Sequence, residues 1–255
     1  MKIKNYNEPF PYMVIDDYYE RSELGYIWEE LEFLSHPHKL KRATKQAGGA
    51  SDEKGQLIKK NFHRYLDGIY AERELSNILS VNRKLFDDNY KLFRQHPHWF
   101  FQNVTFNNDY TQVGYYEDND EYGQHYDCAT VTSLTWLYRE PKRFTGGDLF
   151  LGHENLKIDC VNNRTLIFPS MIRHSVNKIQ MEEEHQNKRL GRYVISQFGV
   201  IQMIKEKWLS MFEFILLILL TYWVGNLSVV ALGANVITNV EFYLIWGLVL
   251  FTFFL

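Results

Sequence analysis

Residues 125–138 read HYDCATVTSLTWLY, an imidazole and a carboxylate two positions apart leading into a run of β-branched and aromatic side chains. In extended chain the side chains at i and i+2 point the same way, so His125 and Asp127 converge on one point at the head of a strand. Working outward, short apolar runs broken by polar turns occupy residues 101–106, 112–117, 129–138, 148–151, 165–168 and 192–200. Several short strands at that spacing predict a closed or double-sheet β structure. Upstream, residues 16–33 and 66–86 carry apolar side chains at helical spacing, among them Leu24, Ile27 and Leu31 in the first and Ile69, Ile78 and Leu79 in the second. Both are expected to be amphipathic helices on the outer face of the sheets. Residues 41–59, rich in Gly, Ser, Lys and Gln, are expected to form a mobile loop, a candidate lid.

The chain has 255 residues, 45% of them hydrophobic and 16% aromatic, which suits one catalytic domain with an appendage. A net charge of -3 without any long basic run gives no electrostatic reason to bind nucleic acid; a protein, a peptide or a small molecule is the expected partner. Two cysteines, Cys128 and Cys160, are too few for a disulfide framework and point to a reducing, cytoplasmic compartment. The N-terminal residues lack the apolar core of a secretory signal.

Composition changes at Lys207. Residues 208–255 contain no Lys or Arg and only two acids, Glu213 and Glu241. Within them, residues 214–233 form an apolar stretch of about twenty residues, the length of a bilayer span, and residues 242–255 a shorter one suited to a re-entrant or interfacial segment. The expected organisation is therefore a domain over residues 1–207 and a hydrophobic, helical, membrane-associated tail over 208–255. Lys205 and Lys207 flank the tail and keep the domain on the cytoplasmic side.

A second histidine, His174, follows the apolar residues 166–169, and a strand adjoining the first brings it to the same point as His125 and Asp127. Two imidazoles and one carboxylate on one face of a metal leave three positions open, the arrangement of non-haem iron(II) sites. The wider order is an aromatic strand, the His-x-Asp triplet, a hydrophobic strand, Gly146-Gly147, an apolar strand, His174 and finally a strand opening with Arg192.

In that order residues 9–204 resemble the prolyl 4-hydroxylase type of 2-oxoglutarate- and iron(II)-dependent dioxygenases, including the leading segment PFPYMVID at residues 9–16. The resemblance implies an α+β, mainly β fold: a double-stranded β-helix, or jelly roll, with flanking N-terminal helices. It also implies metal ligation by His125, Asp127 and His174, and capture of the distal carboxylate of 2-oxoglutarate by Arg192, a task suited to a planar bidentate cation. Tyr115, ten residues before His125, matches a tyrosine that contacts the co-substrate, and Ser196 shares the strand face of Arg192. The acidic insert at residues 181–188 departs from the pattern and makes Arg189 a rival to Arg192; the direct run of Arg192 into an apolar strand favours Arg192.

The activity implied is hydroxylation of a C–H bond with release of succinate and carbon dioxide, using iron(II), 2-oxoglutarate, dioxygen and ascorbate as reductant. Peptidyl proline is the first substrate to consider. An intact Asp127 favours hydroxylation over halogenation, because halogenating relatives lose that carboxylate. Two other readings follow from the same residues: a jelly-roll metal enzyme with no use for Arg192, and a membrane-tethered binding module that turns nothing over.

Overall fold

The structure is a computed structural model, which describes residues 1–36, 39–46, 48–85, 90–153 and 156–201. The chain divides into two units, Met1–Gln202 and Met203–Leu255. The hydrophobic tail expected over residues 208–255 lies outside the described residues, and among the described ones no helix is long and apolar enough to cross a membrane.

The first unit is mainly antiparallel β, with few helices. Eight strands build its centre: β6 (Asn108–Tyr116), β7 (Glu121–His125), β8 (Val131–Leu137), β9 (Leu149–Leu151), β10 (Leu156–Ile158), β11 (Arg164–Pro169), β12 (His174–Val176) and β13 (Arg192–Val200). One sheet runs β11-β8-β13-β6 and the other β10-β9-β12-β7, so the chain changes sheet at every step except the β9–β10 hairpin, the connectivity of a jelly roll. The first sheet is extended at one side by β1 (Lys2–Tyr6) and β2 (Tyr12–Asp16), and at the other by β3 (Lys41–Arg42) and β5 (Phe62–Tyr65). The two-residue β4 (Lys59–Lys60) is the outer strand of the second sheet, beside β7.

Strand alternation sorts the core into two layers. Val14, Leu134, Trp136, Leu166, Phe168 and Val194 face inward and pack with Leu149, Leu151 and Val176 between the sheets. Met13, Ile15, Val113, Leu137, Ile167 and Ile195 face outward, where Ile27, Leu31 and Leu34 of helix α1 (Arg21–Leu34) cover them. The expected placement of helices outside the sheets is therefore found for α1, but it starts later than position 16. Asp16 closes β2 and pairs with Arg164, Asp17 turns the chain at φ 56°, and Glu23 caps the Glu20 amide at 2.7 Å.

Two other expectations change. The helix expected over residues 66–86 is not continuous: among its described residues, 66–85, only α2 (Asn77–Asn82) is α-helical, between 3-10 turns at Arg73–Leu75 and Arg83–Leu85. Side chains interrupt the run. The Asp67 carboxylate accepts from the Thr111 amide at 2.7 Å, fixing that stretch to β6, and Ser76 is extended as the α2 N-cap. Residues 101–106 are expected to be a strand, but α3 (Trp99–Asn103) runs into them, started by His98, whose ring nitrogen accepts from the Phe100 amide.

Buried Glu30 of α1 secures α2 by accepting from Ser76 Oγ at 2.8 Å and from the Ile78 amide at 2.8 Å. Glu30→Ala leaves both donors without a partner and is expected to cost about 1–3 kcal/mol of stability, read from chemical denaturation of the two proteins. An unchanged midpoint would mean that water replaces the carboxylate.

Candidate metal and co-substrate site

The metal-site candidates come from two adjacent strands of the second sheet. His125 closes β7 and His174 opens β12, and the antiparallel register sets them directly opposite, with ring centroids 4.1 Å apart. Asp127 is not on the strand with His125. It sits just beyond, where its amide donates to the Ser170 carbonyl at 3.1 Å. The turn still delivers its carboxylate: Oδ1 is 3.8 Å from His125 Nε2 and Oδ2 is 3.4 Å from His174 Nε2. The three side chains can each offer one ligand atom, all within 4.8 Å of one another.

Their neighbours orient them. His125 Nδ1 donates to the Gly123 carbonyl at 2.9 Å and His174 Nδ1 to the Ile172 carbonyl at 3.0 Å. A carbonyl only accepts, so in each ring the proton is on Nδ1 and the Nε2 lone pair is left for a metal. Burial, and then the neighbouring His174, push the His125 imidazole down to about 3, which keeps it in the neutral, ligating form. Tyr122 stacks on the His125 ring at 3.6 Å. Thr132 Oγ1 donates to Asp127 Oδ2 at 2.8 Å and also contacts Ser170 Oγ. Thr132→Val removes that donor at nearly constant shape, and metal affinity is expected to fall about 10–100-fold, the usual cost of losing such a support. Manganese(II) titration of both proteins measures it; equal affinities would show that Thr132 does not orient the carboxylate.

A cavity between the two sheets runs inward from this cluster to Arg192, the first residue of β13. The guanidinium is buried at 1% exposure, lies 4.7 Å from the Tyr116 ring and 5.8 Å from the Trp136 ring, and its Nε and Nη1 have no hydrogen-bond partner. Gly147, at φ 73°, leaves the space its stem occupies: a Cβ there would come within 2.8 Å of Arg192 Cδ. A buried cation with unmet donors is costly unless an anion completes it. The donor set of His125, Asp127 and His174 suits iron(II), and the unmet donors of the buried Arg192 cation suit an anion such as a carboxylate. Both groups fit the residues present.

Ser196 lines the same cavity, whereas Tyr115 does not. Tyr115 points to the outer face of β6, packs on Phe62 and Tyr193, donates to Glu117 at 2.6 Å and accepts from the Gly191 amide. Its neighbour Tyr116 takes the inward position. Arg189 is exposed and stands outside the cavity. Sequence reasoning missed Lys59, Gln112 and Tyr65, which also line it. Lys59 is buried at 7% exposure and donates to Gln112 Oε1 at 3.0 Å; burial lowers its ammonium to about 8, with Asp127 acting in the opposite direction.

On the other side of His125 a wider groove opens to solvent, lined by Asp52, Gln56, Tyr126, Cys128 and Arg173. Of the loop expected over residues 41–59, 41–42 and 59 are strand, and residues 50–58 form one wall of the groove, with a tight turn in which the Asp52 amide donates to the Gln56 carbonyl at 2.9 Å. Cys128 is exposed.

No protein-family model and no curated protein matches the sequence. Solved structures do match the fold. A prolyl-4-hydroxylase from Pseudomonas putida superposes with a TM-score of 0.53 at 11% identity, covering 75% of this chain and 92% of that one. An oxidoreductase of the 2OG-Fe(II) oxygenase family from Burkholderia pseudomallei gives 0.48 at 12% identity, covering 74% and 87%. The fold is one that the Pseudomonas putida prolyl-4-hydroxylase shares.

Proposed function

We propose that this protein is a 2-oxoglutarate- and iron(II)-dependent oxygenase that hydroxylates a C–H bond. The observation that carries the reading is one cavity holding both halves of the machinery, a His-Asp-His cluster and a buried guanidinium with unmet N–H donors on two of its nitrogens. A jelly-roll metal enzyme that ignores 2-oxoglutarate gives no reason to bury Arg192 unpaired.

In this reading His125, Asp127 and His174 hold iron(II) by Nε2, carboxylate and Nε2, and Arg192 takes the distal carboxylate of 2-oxoglutarate. The bound metal and co-substrate supply the oxidising chemistry, with dioxygen consumed and succinate and carbon dioxide released. The protein's part is positional. Thr132 aims the carboxylate, the Gly123 and Ile172 carbonyls fix both imidazoles, and Leu134, Leu149, Val176 and Val194 keep the cavity dry. The open groove beyond His125 receives the substrate, with peptidyl proline as the first class to try.

The test is succinate formation from 2-oxoglutarate by the full chain in mild detergent, with iron(II), ascorbate and dioxygen. Slow substrate-uncoupled turnover is the expected result, rising when a panel of proline-containing peptides is added. Iron(II) binding without any 2-oxoglutarate binding would overturn the reading in favour of a metal enzyme of another kind.

A further inference from the structure

The cavity contains a second buried cation that the distal-carboxylate role of Arg192 does not explain. β4 is two residues long and alternates: Lys60 points out to an exposed ion pair with Glu121, and Lys59 points in. Lys59 has one hydrogen bond, to Gln112, and no carboxylate within ion-pair distance among the described residues. An ammonium has three donors, so two of them face the cavity unmet.

The register says which end of the cavity Lys59 serves. Gln112 is opposite Ser196 on β13, whereas Arg192 is opposite Tyr116. Those positions are four residues apart, roughly 13 Å at about 3.3 Å per residue. Lys59 also pairs with Tyr122 of β7. Its Nζ is 5.4 Å from the Tyr122 ring centroid, and that ring stacks on His125. Arg192 therefore marks the deep end and Lys59 the metal end.

We propose that Lys59 is a second anion clamp, binding the 2-oxo-acid end of the co-substrate beside the metal while Arg192 binds the distal carboxylate. The inference rests on the oxygenase reading. With a divalent metal, Asp127, Lys59 and Arg192 the cavity has a surplus of positive charge that a dianion largely offsets, and each carboxylate of that dianion then has its own cation. Gln112 is a positioning residue, holding the ammonium inward through one hydrogen bond so that two remain free.

The experiment uses the full chain loaded with manganese(II), which supports binding without turnover, and calorimetric titration with two probes. 2-Oxoglutarate reads both ends of the cavity, and pyruvate, which lacks the distal carboxylate, reads the metal end alone. Lys59→Met is expected to weaken both probes by about 30-fold, the loss expected for a charge-assisted hydrogen bond. Arg192→Met is expected to weaken 2-oxoglutarate and leave pyruvate within about twofold. Lys59→Arg keeps the charge and is expected to restore much of the pyruvate affinity, which a purely structural role for the lysine would not predict. Unchanged pyruvate affinity in Lys59→Met, with 2-oxoglutarate still dependent on Arg192, would overturn the clamp and leave the oxygenase reading standing. Failure of the unaltered protein to bind 2-oxoglutarate at all would overturn that reading and the clamp with it.

Discussion

Asp127→Ala is expected to abolish iron(II)- and manganese(II)-induced stabilisation and to reduce 2-oxoglutarate turnover below detection. Losing a supporting residue of a metal site already costs about 10–100-fold in affinity, and losing a ligand from a set of three costs more. A metal that binds only the folded chain adds about 2.7 kcal/mol of stability at a hundred times its dissociation constant, so the loss is visible as a thermal shift that disappears. The fold should survive: Asp127 stands beyond the end of β7, and Thr132 keeps its contact with Ser170 when the carboxylate goes. A second group of possible ligands, Glu182, Glu184 and His185, provides the control. Its carboxylates are exposed, and Glu184→Ala is expected to leave the thermal shift intact. Metal stabilisation that survives in Asp127→Ala and vanishes in Glu184→Ala would move the metal to the surface group and remove the basis for an oxygenase.

The parts of this site that could be read in the sequence are those where alternation and chemistry agree. β8 and β13 are long, apolar and bounded by turns, so their existence and the leading position of Arg192 were legible. β7 was not: its five residues, Glu121–His125, include Gly123 and polar side chains, and it is held by pairing to β12 and β4 rather than by strand propensity. β12 has only three residues, and its register with β7, which sets His174 opposite His125, is a tertiary fact. That Tyr116 and not Tyr115 lines the cavity was not legible for a related reason. Two adjacent aromatics fit either face of a strand, and only the pairing of Tyr116 with Arg192 decides which one is inside. Lys59-Lys60 reads as a solvated pair at a sheet edge, where lysine is common; nothing local shows that the first of the two is enclosed. The aromatic run of α3 misled because a short apolar segment carries no clear period.

Arg192→Met is expected to have opposite effects on function and on stability. The guanidinium keeps unmet donors on Nε and Nη1, which point to opposite sides, so one carboxylate engages one of them. A charged hydrogen bond of that kind contributes about 1.5–3 kcal/mol, so losing it should raise the KM for 2-oxoglutarate by roughly 10–10²-fold. In the absence of ligand the same group is a liability, since it is buried at 1% exposure with those donors unmet and no anion beside it among the described residues' ion pairs, although the faces of Tyr116 and Trp136 lie close. Methionine fills the stem's volume and packs on both rings without a charge to desolvate. The ligand-free variant should therefore melt higher than the unaltered protein, while 2-oxoglutarate no longer shifts its melting temperature. Stability given up for a site that is complete only when loaded is a common trade in enzymes, and this pair of measurements separates it from a structural role, in which removing the arginine would lower the melting temperature. Arg189→Met, at an exposed position of the preceding turn, is the matched control and should change neither quantity. Normal 2-oxoglutarate affinity in Arg192→Met together with a loss in Arg189→Met would transfer the carboxylate to the loop and leave the buried guanidinium without its proposed partner.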